Sequence, residues 1–237
     1  MPKQHIKWNP PLSTSLKINF DSAVFRETDE AGLGVVVRDH QGRVMASMSE
    51  KIKLPSSSYE VEALAAVWAI SFALELHLPS VIVEGDSELI ISALRSEEES
   101  FTSFDHLISS IKQSLDIFSC ISFSHTHRTG NSLAHNLAQY ARHIDTLMVC
   151  MEDVPPHLHH VLVTDFGWFN KVSSAWFSKK KKKKKESRII TYATTRPCDE
   201  LWLVKRWWWV YVEIPFYQPQ FVTWASCGSR LIHYLFE

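Results

Sequence analysis

The sequence predicts an α/β domain built on one sheet, and three observations lead there. Residues 15–23 (S-L-K-I-N-F-D-S-A) alternate with a period of two, and two further β-patterned runs follow at once. From Val61 onward apolar residues recur at helical spacing instead. The short apolar run S-V-I-V-E at 80–84 comes directly after that helix, which calls for a parallel crossover between the first strand and the fourth.

The first strand sets Leu16, Ile18 and Phe20 on one face and Lys17, Asn19 and Asp21 on the other. A carboxylate on such a strand is costly to bury unless a metal or hydrogen bonds compensate it, so Asp21 is a candidate functional acid. An ordinary turn or edge residue is the alternative. Gly32 to Asp39 reads as a second strand, Asp39-His40-Gln41-Gly42 supplies a turn, and Arg43 to Ile52 makes a third strand and closes a hairpin.

Pro55-Ser56-Ser57-Ser58 announces a helix, because Ser57 followed three residues later by Glu60 makes a capping box. Val61, Leu64, Ala65, Trp68, Phe72 and Leu76 form its expected buried stripe. Beside them run Glu62, Ala66, Ala69 and Ala73, whose small members let the helix lie close to a sheet. Glu62 heads that row at the helix start. His77-Leu78-Pro79 ends the helix, and the fourth strand then stops at Gly85-Asp86, before a helical pattern resumes over Glu88 to Leu94. Asp86 thus stands at a strand's carboxyl end, where open sheets with helical crossovers place ligands. Capping the next helix is its alternative role.

Glu97-Glu98-Glu99 reads as a solvated acidic loop. Phe104, Leu107, Ile108, Ile111 and Leu115 mark another amphipathic helix, and Ile117 to His127 a fifth strand. Thr129-Gly130-Asn131 breaks the chain, and Asn131 is placed to cap a last helix with the buried row Ala134, Leu137, Ala138 and Ala141 and with His135 in its first turn. The predicted order is βββ-α-β-α-α-β-α.

Charge divides the 237 residues in two. Residues 1–165 hold 12 Lys plus Arg against 21 Asp plus Glu, a balance of −9, whereas residues 166–237 hold 13 against 5, a balance of +8. The second part contains the homopolymer Lys179 to Lys185 and seven of the nine tryptophans, without a sustained period of 2 or 3.6. Seven lysines in a row are what an adenine-rich stretch encodes, so residues 166–237 are expected to be an irregular or disordered tail rather than an independent domain. A nuclear-import signal or a basic-aromatic surface for nucleic acid or membrane are the functional alternatives. The four cysteines are scattered without a C-x-x-C pair, which argues against a structural zinc or a disulfide framework. With no signal-peptide core and no run of membrane-spanning length, the expectation is an intracellular protein, nuclear or cytoplasmic, without membrane association and monomeric.

Five segments in order then resemble a ribonuclease H domain of the plant-type branch, found at the ends of reverse transcriptases of non-LTR retroelements and in standalone plant proteins. They are W-N-P-P with K-I-N-F-D-S-A, G-L-G-V-V-V-R-D-H-Q-G-R-V, E-A-L-A-A-V-W-A-I, V-I-V-E-G-D-S and H-T-H-R-T-G-N-S-L-A-H-N-L-A, within about residues 7–165. The resemblance implies a five-stranded mixed sheet flanked by helices, and two divalent cations, Mg²⁺ or Mn²⁺. It implies catalytic and metal-binding roles for Asp21, Glu62 and Asp86, and the RNA strand of an RNA–DNA hybrid as substrate. Hard oxygen ligands suit such ions, which activate water and stabilise the leaving oxygen. The family's usual fourth acid is His135 here, a residue able to hold a metal-bound water or shuttle a proton near neutral pH; a plain surface histidine is the alternative. Arg128 and Asn131 match the R-x-x-N before the last helix and are expected to contact phosphate or the 2′-OH. His125 and His127 are lesser candidates for proton transfer or product release. Against the nuclease stands a catalytically weak or inactive remnant of a retroelement acting as a binding module, which the −9 balance favours because phosphate backbones need basic partners.

Overall fold

Strand β1 (Leu16–Phe25) lies in the interior of a mixed sheet with the order β5-β4-β1-β2-β3-β6-β7. The computed structural model describes residues 7–12, 15–97, 102–165 and, for the backbone alone, 189–192. Two compact units divide the chain, residues 1–195 and 196–237, and every described residue belongs to the first. The lysine run and the rest of the basic-aromatic tail, apart from residues 189–192, lie outside the described residues.

β1 runs antiparallel to β2 (Glu30–Arg38), which turns back into β3 (Val44–Lys53). Asp39 builds the turn between them. Its Oδ1 accepts from the amides of Gln41 at 2.9 Å and Arg43 at 2.8 Å, and Gly42 supplies the left-handed residue at φ 72°. The crossover is parallel as expected, with β4 (Ser80–Gly85) paired to β1 from Leu16↔Val81 to Asn19↔Glu84 and β5 (Cys120–His125) paired parallel to β4.

The expected five-strand sheet is too small. β6 (Leu147–Met151) adds antiparallel to β3, and the short β7 (Ile189–Tyr192) adds to β6. L-M-V-C-M is buried on four of its five residues, so it shows neither alternation nor helical spacing. A helix after it, α5 (His159–Asp165), was likewise unannounced.

Helix α1 (Ser58–Glu75) packs on one face of the sheet together with α2 (Glu88–Arg95) and α3 (Asp105–Lys112). It is buried on more than the expected stripe. Ala66, Ala69 and Ala73 are fully covered, while Leu64 and Trp68 are only half-buried, because the sheet takes the alanine row and the other helices take the rest. Ser57 is the N-cap, but its hydroxyl accepts from the Tyr59 amide at 3.2 Å and not from that of Glu60, so the capping box is not closed. Ser57→Ala is therefore expected to lower stability by about 0.5–2 kcal/mol and Glu60→Ala by less, as urea unfolding will read.

Near the other end of α1, burial pushes the Glu75 carboxyl up to about 8. A folded-state pKa raised in this way gives stability that is present at acid pH and is lost as pH rises toward 8. Glu75→Gln should flatten the fall of unfolding free energy between about pH 5 and pH 8; a slope equal to that of the parent would contradict this.

Helix α4 (Ser132–Tyr140) covers the opposite face, with Ala134, Leu137 and Ala138 of its predicted row and the following Ala141 all fully buried. It comes so close to β2 that a Cβ on Gly34 would stand 2.3 Å from both the Ala134 carbonyl oxygen and the Ala138 amide nitrogen. No helix among the described residues is long and apolar enough to cross a membrane.

Candidate active site

The alternation of β1 puts Ile18 and Phe20 in the core under α1 and turns Lys17, Asn19 and Asp21 toward α4. Asp21 lies past the last residue that β4 pairs, Asn19, so the sheet opens beside it. The strand itself continues to Phe25, four residues beyond Asp21.

Asp21 is buried and its charge is compensated on both oxygens. Oδ1 accepts from the Ser22 amide at 2.7 Å, and Oδ2 meets Nδ1 of His135 at 2.8 Å. Arg128 Nη2 also lies 3.5 Å from that nitrogen. One ring nitrogen cannot donate to a carboxylate and accept from a guanidinium together. The shorter contact to the carboxylate is the stronger, so Nδ1 carries the proton and donates to Asp21.

Asp86 follows β4 at its carboxyl end, and Ser87, not Asp86, is the N-cap of α2. Helix capping thus leaves the Asp86 side chain available. Its Oδ1 is 3.5 Å from the Asn131 amide and its Oδ2 is 4.0 Å from Nε of the exposed Arg128. Burial pushes its pKa up, and the negative charge of Asp21 adds to that. Glu62, in the first turns of α1, is likewise raised by burial and then by Asp86 and Asp21, against a hydrogen bond from Ser87 that lowers it. The three acids therefore sense one another across the open end of the sheet, although they start from three different elements.

Asn131 is fully buried, and this corrects two expectations. Its side chain does not cap α4 but donates to the Phe20 carbonyl at 2.8 Å, while its Oδ1 accepts from Asn19 at 3.2 Å. No face of it is left for phosphate or 2′-OH. Arg128, with its side chain 68% exposed, keeps that possibility. His125 Nε2 meets the Asp86 carbonyl at 3.2 Å, and His127 stands edge-on to it with ring centres 5.9 Å apart. The two histidines border a cleft of about 390 Å³ that also touches Asn9, Lys17, Ser124 and Thr126.

The metal expectation has a mixed fit. Three crowded carboxylates offer hard oxygen donors whose mutual repulsion a divalent cation would offset. Among the described residues, however, no three His, Cys, Asp or Glu side chains already form a metal-ligand cluster. The donor chemistry fits; a preassembled cage is absent.

Sequence reasoning missed the polar layer beneath this site. Asn19 accepts from Trp8 Nε1 at 2.9 Å and from Arg38 at 3.1 Å, and donates to Glu84 at 3.0 Å, which in turn is paired with Lys17 at 2.8 Å. The available signal was Asn19 and Arg38 themselves, a polar residue between Ile18 and Phe20 in β1 and a charge directly after the Val35–Val37 run of β2.

A family model described as reverse transcriptase-like matches residues 19–141. A candidate ribonuclease H protein of Arabidopsis thaliana is 27% identical over 160 residues, 68% of this chain and 26% of that protein, so the chain spans about a quarter of the length of this curated relative. Among solved structures, ribonuclease H1 of the archaeon Halobacterium salinarum is 22% identical, covering 54% of this chain and 98% of its own, with a TM-score of 0.49. The LC11 ribonuclease H1 in complex with an RNA/DNA hybrid is 21% identical over 53% of this chain and 95% of its own, with a TM-score of 0.47.

Proposed function

This chain belongs to the reverse transcriptase-like family, as a ribonuclease H domain of the plant-type branch, and we propose that it is a metal-dependent endonuclease that hydrolyses the RNA strand of RNA–DNA hybrids. The observation that carries this reading is the convergence of Asp21, Glu62 and Asp86 where β1 runs on past β4, with the charges of Asp86 and Asp21 adding to the burial that raises Glu62 and that of Asp21 adding to the burial that raises Asp86. A fold without that chemistry has no need for three acids at one point.

Asp21, Glu62 and Asp86 would hold two divalent ions, Mg²⁺ or Mn²⁺, with Asp21 as the central ligand. Such ions supply Lewis acidity for activating water and for stabilising the leaving 3′ oxygen. The chain's own residues do the rest. His135 donates through Nδ1 to Asp21, fixing that carboxylate and leaving Nε2 to take or release a proton at the margin of the site. Arg128, exposed beside Asp86, contacts the hybrid backbone, and Asn131 acts from within by holding Asp86 and the carbonyl before Asp21.

The 237-residue chain incubated with a labelled hybrid and Mg²⁺ or Mn²⁺ should cut the RNA strand, spare the DNA strand and stop when the metal is chelated. His135→Ala should reduce cleavage by about 10²-fold without abolishing it, in keeping with a proton-transfer role. Intact hybrid under both metals would sink the nuclease reading. The −9 balance of residues 1–165 favours a second reading, a binding module without turnover; hybrid retention on the protein with no cleavage is the result that selects it.

A further inference from the structure

Arg38, the last residue of β2, is fully buried, with its Nε donating to no acceptor among the described residues. Its charge is met from two sides. Asp165, the last residue of α5, accepts from Nη1 at 2.9 Å, and the Trp8 ring lies 3.9 Å from the guanidinium carbon. A buried ion pair rarely gains stability over apolar side chains of the same volume, so stability alone does not account for this one. Its connections do. Arg38 and Trp8 both donate to Oδ1 of Asn19, whose amide reaches Asn131, the residue that holds the Phe20 carbonyl and faces Asp86. Asp165 also accepts from the hydroxyl of Ser132 at 2.5 Å, at the first residue of α4 and one turn from His135.

We propose that Trp8 and Asp165, which lie outside the family-matched span of residues 19–141, are positioning residues for the active site: they clasp Arg38 and so lock Asn19, Asn131 and the start of α4. The inference rests on the nuclease reading for its consequence in metal binding, but its geometric part stands apart from it. The chain before β1 and the helix after β6 then belong to the working unit, not to its margins. Two separate side chains carry the lock. The indole N–H serves Asn19 and the carboxylate serves both Arg38 and Ser132, so each is removable without deleting the other.

The test uses the full-length chain and two readouts, Mn²⁺ affinity by calorimetry and the His135 imidazole nitrogen signals by NMR, assigned with His135→Ala. Trp8→Phe keeps an aromatic face for Arg38 but loses the indole donor and the pyrrole half of the ring; Asp165→Asn weakens both of the carboxylate's contacts. Ile111→Val, a buried core position on α3, which carries no candidate site residue, controls for a general loss of stability. Each of the two variants should weaken Mn²⁺ binding at least about tenfold, the order expected when partners behind metal ligands are lost, and should shift or broaden the His135 signals. The control should change neither. If Asp165→Asn does not fold, Trp8→Phe decides alone. Parent-like affinity together with parent-like His135 signals overturns the proposal. If the parent protein binds no Mn²⁺, the nuclease reading fails, and the His135 signals by themselves decide whether Trp8 and Asp165 position the site.

Discussion

On the proposed nuclease reading, Asp21→Asn should abolish hybrid cleavage, by at least about 10²–10³-fold, the cost of deleting one contact that stabilises charge in a transition state. It should also erase the stabilisation that divalent cations would give. With cation at a hundred times its dissociation constant, binding adds about 2.7 kcal/mol, which for a domain of this size is a rise of roughly 5–10 °C in melting temperature. The asparagine keeps its oxygen for the Ser22 amide and turns its NH2 toward His135, whose other tautomer accepts through Nδ1, so the metal-free fold survives. Removing the charge even relieves Glu62 and Asp86, both of which Asp21 pushes upward in pKa. The sign follows from linkage: acids raised in the folded state cost stability as pH climbs past their ordinary values, so the metal-free variant loses less stability than the parent between about pH 4 and pH 7. Thermal scans with and without Mn²⁺ at the two pH values check all of this. A melting-temperature rise in Asp21→Asn equal to that of the parent would remove Asp21 from the metal site.

Gly34→Val is the second large effect, and it acts without touching a candidate catalytic group. Gly34 pairs with Asp21 across β1 and β2, directly beneath α4. The atoms a Cβ would strike belong to the backbone at Ala134, Leu137 and Ala138, none of which gives way as a flexible side chain would. The helix must therefore lift. Overpacking of this kind costs about 1–3 kcal/mol, and backbone collisions from three residues put this site at the upper end. His135 rides on the same helix turn, so its 2.8 Å contact with Asp21 opens as well. Urea unfolding measures the first loss, and the His135 imidazole signals report the second. A variant that keeps both parental stability and the parental imidazole signals would contradict the close packing of α4 on β2.

The sequence by itself determined the β1-to-α4 order, the parallel crossover and the places of Asp21, Glu62 and Asp86 in their elements, because each rests on local period or on position relative to a strand or helix end. Alternation along β1 is enough to separate Phe20 from Asp21, and a chain that stops an apolar strand at Gly85-Asp86 places the acid at a sheet edge wherever the rest packs. What the sequence left open depended on partners distant along the chain. Asn131 stands at a capping position, yet its amide finds Phe20, more than a hundred residues earlier, and so is buried and not a nucleic-acid contact. His135 has the spacing of a surface histidine until α4 descends on the two β2 glycines and brings it to Asp21. The ion pair of Arg38 with Asp165 spans 127 residues, and no local pattern marks it. Periodicity reports which face of an element is covered; only the tertiary structure decides which groups cover it, since buried polar atoms must find hydrogen-bond partners wherever the fold provides them.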